Sequence, residues 1–153
     1  YSIVCLGVVL DEHSNVYLAC DDAIRKFSPD GKLLWRHVPS GSIPLQRPEH
    51  MRGWTNIGSI PSLMDGALFC STFLGYVFAV DLATGKELWS VHVGTSSEDN
   101  KTGDDNNFVG SHDGVVVTMR NRCLRNPPCA PYGGSYNVVA LNATSGAELW
   151  DFK

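Results

Sequence analysis

A glycine followed four residues later by a tryptophan occurs three times in this chain. The three segments are "SPDGKLLW", "DLATGKELW" and "NATSGAELW", which end at Trp35, Trp89 and Trp150. Short apolar runs, broken by Gly, Asp, Asn and Ser, precede each segment, and no window keeps a helical period of 3.6 over three turns. Each repeat therefore predicts short antiparallel strands joined by tight turns, and the chain is predicted to be all-β.

The apolar runs predict four strands in each repeat. They fall at 7–10, 15–19, 23–28 and 33–37, then 58–63, 67–72, 76–81 and 87–93, then 108–111, 115–120, 136–142 and 148–152. A repeating four-stranded antiparallel unit is typical of the blades of a β-propeller. We predict one propeller segment over 1–153, with blades at about 1–41, 55–94 and 106–153 and long inter-blade loops at 39–57 and 94–107.

The Gly-to-Trp segments are predicted to fasten one blade to the next. A tight turn followed by a bulge, between the third and fourth strands, needs a residue with positive φ, which glycine supplies. Aspartate and threonine side chains bind turn amides, and a tryptophan ring covers the gap to a neighbouring blade while its N–H finds an acceptor. The predicted docking residues are Gly31, Trp35, Asp81, Thr84, Gly85, Trp89, Gly146 and Trp150.

The segment "AVDLATGKELW" resembles the tryptophan-docking motif of the pyrroloquinoline quinone (PQQ)-like propeller repeats. Quinoprotein alcohol dehydrogenases and bacterial outer-membrane assembly lipoproteins carry these repeats. The central copy matches at Ala79, Asp81, Thr84, Gly85, Lys86 and Trp89, the last copy has Asn142 and Ser145 in place of Asp and Thr, and the first copy is one residue shorter. The resemblance implies the fold and leaves the activity open, because this repeat serves enzymes, scaffolds and sensors.

Three blades are too few to close a ring, because propellers have about four to eight blades. An open stack leaves sheet edges that pair with other chains. The chain also begins at Tyr1, with no methionine or leader. We expect a segment of a larger propeller, or else assembly from several copies, so the predicted partners are the remaining blades of its own chain or other protein subunits.

The charge pattern argues against nucleic acid and membrane insertion. The net charge is −4 and the Lys and Arg residues are scattered, so no basic stripe is present to bind a nucleic-acid backbone. No apolar run approaches the roughly 20 residues that a membrane-spanning helix needs.

The chain has five cysteines, Cys5, Cys20, Cys70, Cys123 and Cys129, and the sequence supports a prediction for the last four. Cys20 and Cys70 occupy equivalent ends of second strands and are predicted to be buried, unpaired side chains. Cys123 and Cys129 flank "LRNPP" in an insertion, where the turn predicts a local disulfide. Asn100 and Asn142 begin Asn-x-Thr triplets, which predict N-glycosylation. Together these features favour a secreted, periplasmic or organelle-lumen location.

Two long loops are candidate sites. The loop at 39–57 carries His50, Arg52 and Trp54, which either present an interaction surface or pack the loop onto a blade. The loop at 96–107 carries four acidic residues, for which a solvated connection is favoured over a calcium site.

No motif for catalysis is present in the sequence. It has no Gly-x-Ser-x-Gly elbow, no HExxH, no phosphate-binding glycine loop and no adjacent cysteine pair of the quinoprotein dehydrogenase kind. We predict a non-catalytic binding or scaffold module, with no catalytic residue, metal site or cofactor. The alternative is a fragment of a PQQ- and calcium-dependent quinoprotein alcohol dehydrogenase, since residues 122–150 also resemble a segment of polyvinyl alcohol dehydrogenase-like quinoproteins.

Overall fold

The computed structural model describes residues 5–20, 22–40, 57–72, 75–93, 108–122 and 135–152. These residues form twelve strands in three four-stranded antiparallel sheets, each in chain order, so the predicted all-β class is confirmed. The first sheet holds β1 (Cys5–Leu10), β2 (Val16–Cys20), β3 (Ala23–Phe27) and β4 (Leu33–His37). The second holds β5 (Ser62–Met64), β6 (Ala67–Ser71), β7 (Tyr76–Asp81) and β8 (Glu87–His92). The third holds β9 (Val109–His112), β10 (Val115–Arg122), β11 (Ser135–Asn142) and β12 (Glu148–Phe152).

The first strand of the second sheet differs most from its prediction. The apolar run at 58–63 predicts a strand there, whereas β5 is three residues long and Ile57 forms an isolated bridge with Thr72. Pro61 lies between these two pairings, and proline has no N–H to donate to a ladder. The side chain of Ser59 replaces part of the ladder by accepting a hydrogen bond from the amide of Ser71 at 2.9 Å.

The hydrophobic core lies between the sheets. One cluster joins the first and second sheets and contains Tyr17, Ala19, Ile24, Ile57, Leu68, Cys70, Phe78 and Val80. The other joins the second and third sheets and contains Ala67, Phe69, Val77, Ala79, Val93, Val109, Val116, Val139 and Leu141. Because side chains alternate along a strand, the second sheet contributes one set of residues to each cluster. Each sheet, called a blade below, therefore depends on its neighbour for burial.

A disulfide between Cys5 and Cys20 corrects the prediction that Cys20 is unpaired. The apolar pattern starts the first strand at residue 7, but β1 begins at Cys5, which pairs directly with Cys20 in the antiparallel ladder. Cys70 is free and fully buried, and burial raises the pKa of its thiol to about 11. Cys123 and Cys129 lie outside the described residues, so their pairing stays a prediction.

None of the described residues forms a helix long and apolar enough to cross a bilayer.

Candidate functional site

The ring of Trp35 lies on Gly85 of the next blade. Trp35 is on β4 of the first blade, and Gly85 is in the turn between β7 and β8 of the second. A Cβ atom built on Gly85 would lie 2.7 Å from Cδ2 of Trp35, well inside van der Waals contact. Gly85 also has a φ of 73°, in the left-handed region. Glycine is therefore required here both for the turn and for the close approach of the ring.

The indole N–H of Trp35 binds the same turn. It donates to the carbonyl oxygen of Leu82 at 3.1 Å, and Nζ of Lys26 donates to that oxygen at 2.8 Å. The amide of Leu82 in turn donates to the carbonyl of Gly66 at 2.9 Å, which fixes the direction of the acceptor. Tyr17 completes the contact, with its ring 5.9 Å from that of Trp35 and 5.2 Å from Nζ of Lys26. This is a cation–π arrangement at a partly buried joint.

The same contacts recur between the second and third blades. Trp89 lies on Gly146, where an added Cβ would meet the ring at 2.8 Å, and its Nε1 donates to the carbonyl of Ala143 at 2.8 Å. The amide of Ala143 donates to the carbonyl of Gly114 at 2.9 Å. In both joints the acceptor stands three residues before the glycine. The repeated spacing in the sequence thus corresponds to a repeated contact between consecutive blades.

The docking turns are held by their own side chains. Oδ1 of Asp81 accepts hydrogen bonds from the amide of Thr84 at 2.7 Å and from its hydroxyl at 2.6 Å, and these bonds lower the pKa of Asp81. In the last copy, Oδ1 of Asn142 accepts from the amides of Thr144 and Ser145, both at 3.0 Å. Asn142 therefore stabilises the turn, and its glycosylation stays a prediction. Asn100 lies outside the described residues.

A second polar contact joins the first two blades. Oε2 of Glu87 lies 3.2 Å from Nε2 of His37 and accepts the amide of Ser40 at 2.9 Å, and the hydroxyl of Ser40 also bonds to this carboxylate. Burial lowers the pKa of His37, and the Glu87 carboxylate only partly offsets that effect. The contact therefore holds a neutral imidazole against a carboxylate.

Arg120 makes the corresponding polar contact between the second and third blades. Its Nε donates to the carbonyl of Val93 at 2.5 Å, and its two terminal nitrogens donate to Asp151 at 2.7 Å and to Glu148 at 2.5 Å. Asn137 donates to the second oxygen of Asp151 at 2.5 Å. The guanidinium group thus joins one backbone carbonyl of the second blade to two carboxylates of the third.

The first glycine and the last tryptophan have no such contact within the described residues. A Cβ built on Gly31, which has a φ of 84°, would meet no described atom within 4 Å. Trp150 is 49% exposed, whereas Trp35 and Trp89 are packed against the core clusters. The structure therefore brings six of the eight predicted docking residues into two joints, and among the described residues Gly31 and Trp150 take part in neither.

The other predicted sites lie largely outside the described residues. These include His50, Arg52 and Trp54, as well as the acidic loop at 96–107. Among the residues that the structure describes, no three His, Cys, Asp or Glu side chains come together as metal ligands.

Several of these contacts were not predicted from the sequence. The side chains of Leu82 and Ala143 do not mark these residues as hydrogen-bond acceptors, because every residue has a backbone carbonyl. Their constant offset from the glycine is the one regularity that points to them. The contacts of Glu87 and Arg120 depend on which blade faces which, and that is set by packing.

A family model described as PQQ_2, outer membrane protein assembly factor BamB, matches residues 21–153. No curated protein sequence matches the chain at a significant level. Three solved structures illustrate the similarity of fold. BamB from Moraxella catarrhalis has a TM-score of 0.60 at 17% identity, over 97% of this chain and 37% of its own.

The second structure, quinohemoprotein alcohol dehydrogenase from Comamonas testosteroni, has a TM-score of 0.67 at 19% identity, over 97% of this chain and 21% of its own. The computationally designed Ika4 protein has a TM-score of 0.62 at 15% identity, over 100% of this chain and 74% of its own. The chain thus spans roughly a third of the BamB chain and a fifth of the dehydrogenase chain. Identities this low show a shared fold alone. The family match over most of the chain shows that it belongs to the PQQ-like repeat family described as outer membrane protein assembly factor BamB.

Proposed function

We propose that this chain is a non-catalytic propeller module that binds protein partners within a larger protein or complex. The observation that carries the proposal is that the charged side chains of the described blades make structural contacts. Asp81 holds a docking turn and Arg120 joins two blades, while the first and third sheets expose apolar side chains, among them Leu10 and Phe152. Surfaces of this kind favour docking of protein over chemistry on a small substrate.

The carboxylates of the described blades illustrate this use. Asp22 binds Arg25 at 2.6 Å and Arg36 at 3.2 Å within the first blade. Glu87 binds the first blade through His37, and Asp151 binds Arg120. A general base must instead be placed within hydrogen-bond reach of a substrate proton. These carboxylates are already engaged as structural acceptors.

The disulfide supports a location outside a reducing cytosol. Disulfides persist in secreted, periplasmic and organelle-lumen proteins. The family description refers to assembly of outer membrane proteins, which accords with a role in holding other proteins. The partners that we propose are the remaining blades of the same chain or other protein subunits, with no cofactor.

The second candidate is a fragment of a PQQ- and calcium-dependent alcohol dehydrogenase. The similarity of fold to the Comamonas testosteroni quinohemoprotein alcohol dehydrogenase supports it. When bound, the quinone would accept a hydride from the alcohol. The non-catalytic module is preferred because Asp22, Glu87 and Asp151 are engaged in contacts that hold the blades.

The two candidates separate in a binding experiment. The chain, purified from its source under non-denaturing conditions, is weighed by native mass spectrometry with its stable partners, and PQQ and calcium are then added. An established quinoprotein dehydrogenase is treated in parallel as the positive control. We expect a protein complex heavier than 16.7 kDa whose mass does not change with quinone or calcium. Calcium-dependent uptake of one quinone per chain, reversed by a chelator, would contradict the proposal.

A further inference from the structure

The second and third docking turns differ in the side chain that holds them. Asp81 and Asn142 each lie four residues before the glycine of their turn. Oδ1 of Asp81 accepts the amide and the hydroxyl of Thr84. Oδ1 of Asn142 accepts the amides of Thr144 and Ser145 and, at 3.2 Å, the hydroxyl of Ser145. One acceptor oxygen therefore holds each turn, and asparagine uses only one of the two polar atoms of its carboxamide for this purpose.

The other polar atom, Nδ2 of Asn142, donates to no acceptor in the part of the chain that the structure describes, and the residue is partly exposed. Asn142 begins the triplet Asn-Ala-Thr, which is an acceptor sequence for N-glycosylation. Thr144, the third residue of the triplet, is exposed. We propose that Asn142 carries an N-linked oligosaccharide, which is added before its turn docks on the second blade.

The proposed modification is a group transfer from a lipid-linked oligosaccharide. The bond between C1 of the first sugar and an oxygen of the lipid pyrophosphate breaks, and a bond between that C1 and Nδ2 of Asn142 forms. Nδ2 loses one proton, and the lipid pyrophosphate leaves with the electron pair of the broken bond, so nothing is oxidised or reduced. Oδ1 takes no part in the new bond and keeps its hydrogen bonds to the turn. The attached group is bulky and needs the surface position that this turn provides.

The backbone of the triplet is engaged in the folded chain, which sets the order of events. The carbonyl of Asn142 accepts the amide of Gly146 at 2.8 Å. The amide of Ala143 donates to the carbonyl of Gly114 at 2.9 Å, and its carbonyl accepts Nε1 of Trp89 at 2.8 Å. A transferase must bind these residues as an accessible segment, and the docked joint prevents that. The oligosaccharide is therefore added while the turn is undocked.

The disulfide supports the modification independently. Disulfides persist in secreted and lumenal proteins, and acceptor triplets of this kind are glycosylated in secreted proteins. The pairing of Cys5 with Cys20 thus places the chain in a compartment where the transfer takes place. This inference goes beyond the proposed function, because a glycan on this turn does not depend on which protein the module binds.

The first test is peptide mapping of the chain purified from its source. Enzymatic release of N-glycans in water enriched in heavy oxygen converts a modified asparagine to labelled aspartate, which mass spectrometry locates. We expect the label at Asn142. In the same cells, Asn142→Asp and Thr144→Ala should abolish the glycan at this turn, whereas Thr144→Ser should retain it, because serine also completes the triplet.

Two features of these variants separate loss of the site from misfolding. Asn142→Asp gives the third turn the residue that holds the second, so this variant keeps the oxygen that the turn needs. Ser145→Ala, which lies next to the triplet, is the matched control and should keep the glycan. Unlabelled Asn142 in the source protein, or an undiminished glycan in Thr144→Ala, would overturn the site.

A transfer assay tests the order of events. The chain is made in cells that lack the transferase, folded, and offered to a purified oligosaccharyltransferase with its lipid-linked donor. We expect Trp89→Ala to be modified at Asn142 at least about tenfold faster than the wild type, because opening the joint exposes the segment. Leu88→Ala, an exposed leucine beside that tryptophan, should match the wild type. Equal rates for Trp89→Ala and the wild type would overturn the order, and none of these results bears on quinone uptake, which decides the proposed function.

Discussion

Trp35 lies so close to Gly85 that a methyl group on that glycine would overlap the indole ring. The built Cβ is 2.7 Å from Cδ2 and 2.8 Å from Cγ. The glycine therefore has two functions: it allows the positive φ of its own turn and receives the tryptophan of the preceding blade. Gly31 has the first function only, since no described atom lies within 4 Å of its built Cβ.

This difference predicts unequal costs for the same substitution. Gly31→Ala should cost about 1 to 2 kcal/mol of unfolding free energy through left-handed strain. Gly85→Ala should cost about 2 to 5 kcal/mol, because overpacking against Trp35 adds about 1 to 3 kcal/mol. Urea unfolding measures both. Equal losses for the two variants would show that the ring does not occupy the space above Gly85.

The contact between His37 and Glu87 predicts a pH dependence of stability. Burial lowers the pKa of His37 in the folded chain below its usual 6.5. At a pH between these two pKa values, the unfolded chain therefore binds more protons than the folded chain does. The free energy of unfolding should therefore fall as the pH is lowered from about 7 to about 5. His37→Gln should remove this fall, and Glu87→Gln should extend it to lower pH by removing the offsetting charge. A stability that is flat or rises over this interval would contradict the assignment.

The disulfide predicts sensitivity to reduction. Cys5 and Cys20 are separated by 15 residues, and closing a loop of that length stabilises a fold by about 3 kcal/mol. Reduction of the wild-type chain should lower the unfolding free energy by about 2 to 3 kcal/mol, and the Cys5→Ser, Cys20→Ala double variant should show no further loss on reduction. Peptide mapping without reductant should recover Cys5 linked to Cys20. If both cysteines are recovered as free thiols from protein made in an oxidising compartment and mapped without reductant, the pairing is wrong.

We expect Arg120 to contribute far more to the unfolding free energy than an exposed arginine does. Its side chain is 13% exposed and binds across two blades, whereas that of Arg36 is 46% exposed and pairs with Asp22 inside one blade. Arg120→Met leaves two carboxylates without their cation and should cost about 2 to 4 kcal/mol. Arg36→Met should cost about 1 kcal/mol or less. Thermal unfolding of both variants gives the comparison, and equal losses would show that Arg120 does not join the blades.

The strands were predictable because their signals are local. Alternating apolar residues and the glycines after β3, β7 and β11 determine where the chain extends and where it turns. The strand at 58–63 was predicted wrongly because Pro61 interrupts a run that looks continuous by hydrophobicity alone. A proline has no N–H to donate to the ladder, whichever residues flank it.

The contacts between distant residues were harder to predict. The pairing of Cys5 with Cys20 depends on β1 beginning two residues before its apolar pattern does. A shift of that size is within the uncertainty of any strand boundary. The glycine and tryptophan spacing indicated a fastener between blades. Only the packing shows that each tryptophan uses the glycine of the following blade, 50 residues ahead for Trp35 and 57 for Trp89.

The central claim is that Trp35 and Trp89 donate their indole N–H groups to the next blade. Hydrogen exchange of the indole N–H groups, followed by NMR, tests it most directly, with signals assigned by single Trp→Phe variants. We predict that the indoles of Trp35 and Trp89 exchange at least about tenfold more slowly than that of Trp150, because opening a blade-to-blade joint costs local stability. Exchange of all three at the same rate would contradict the account.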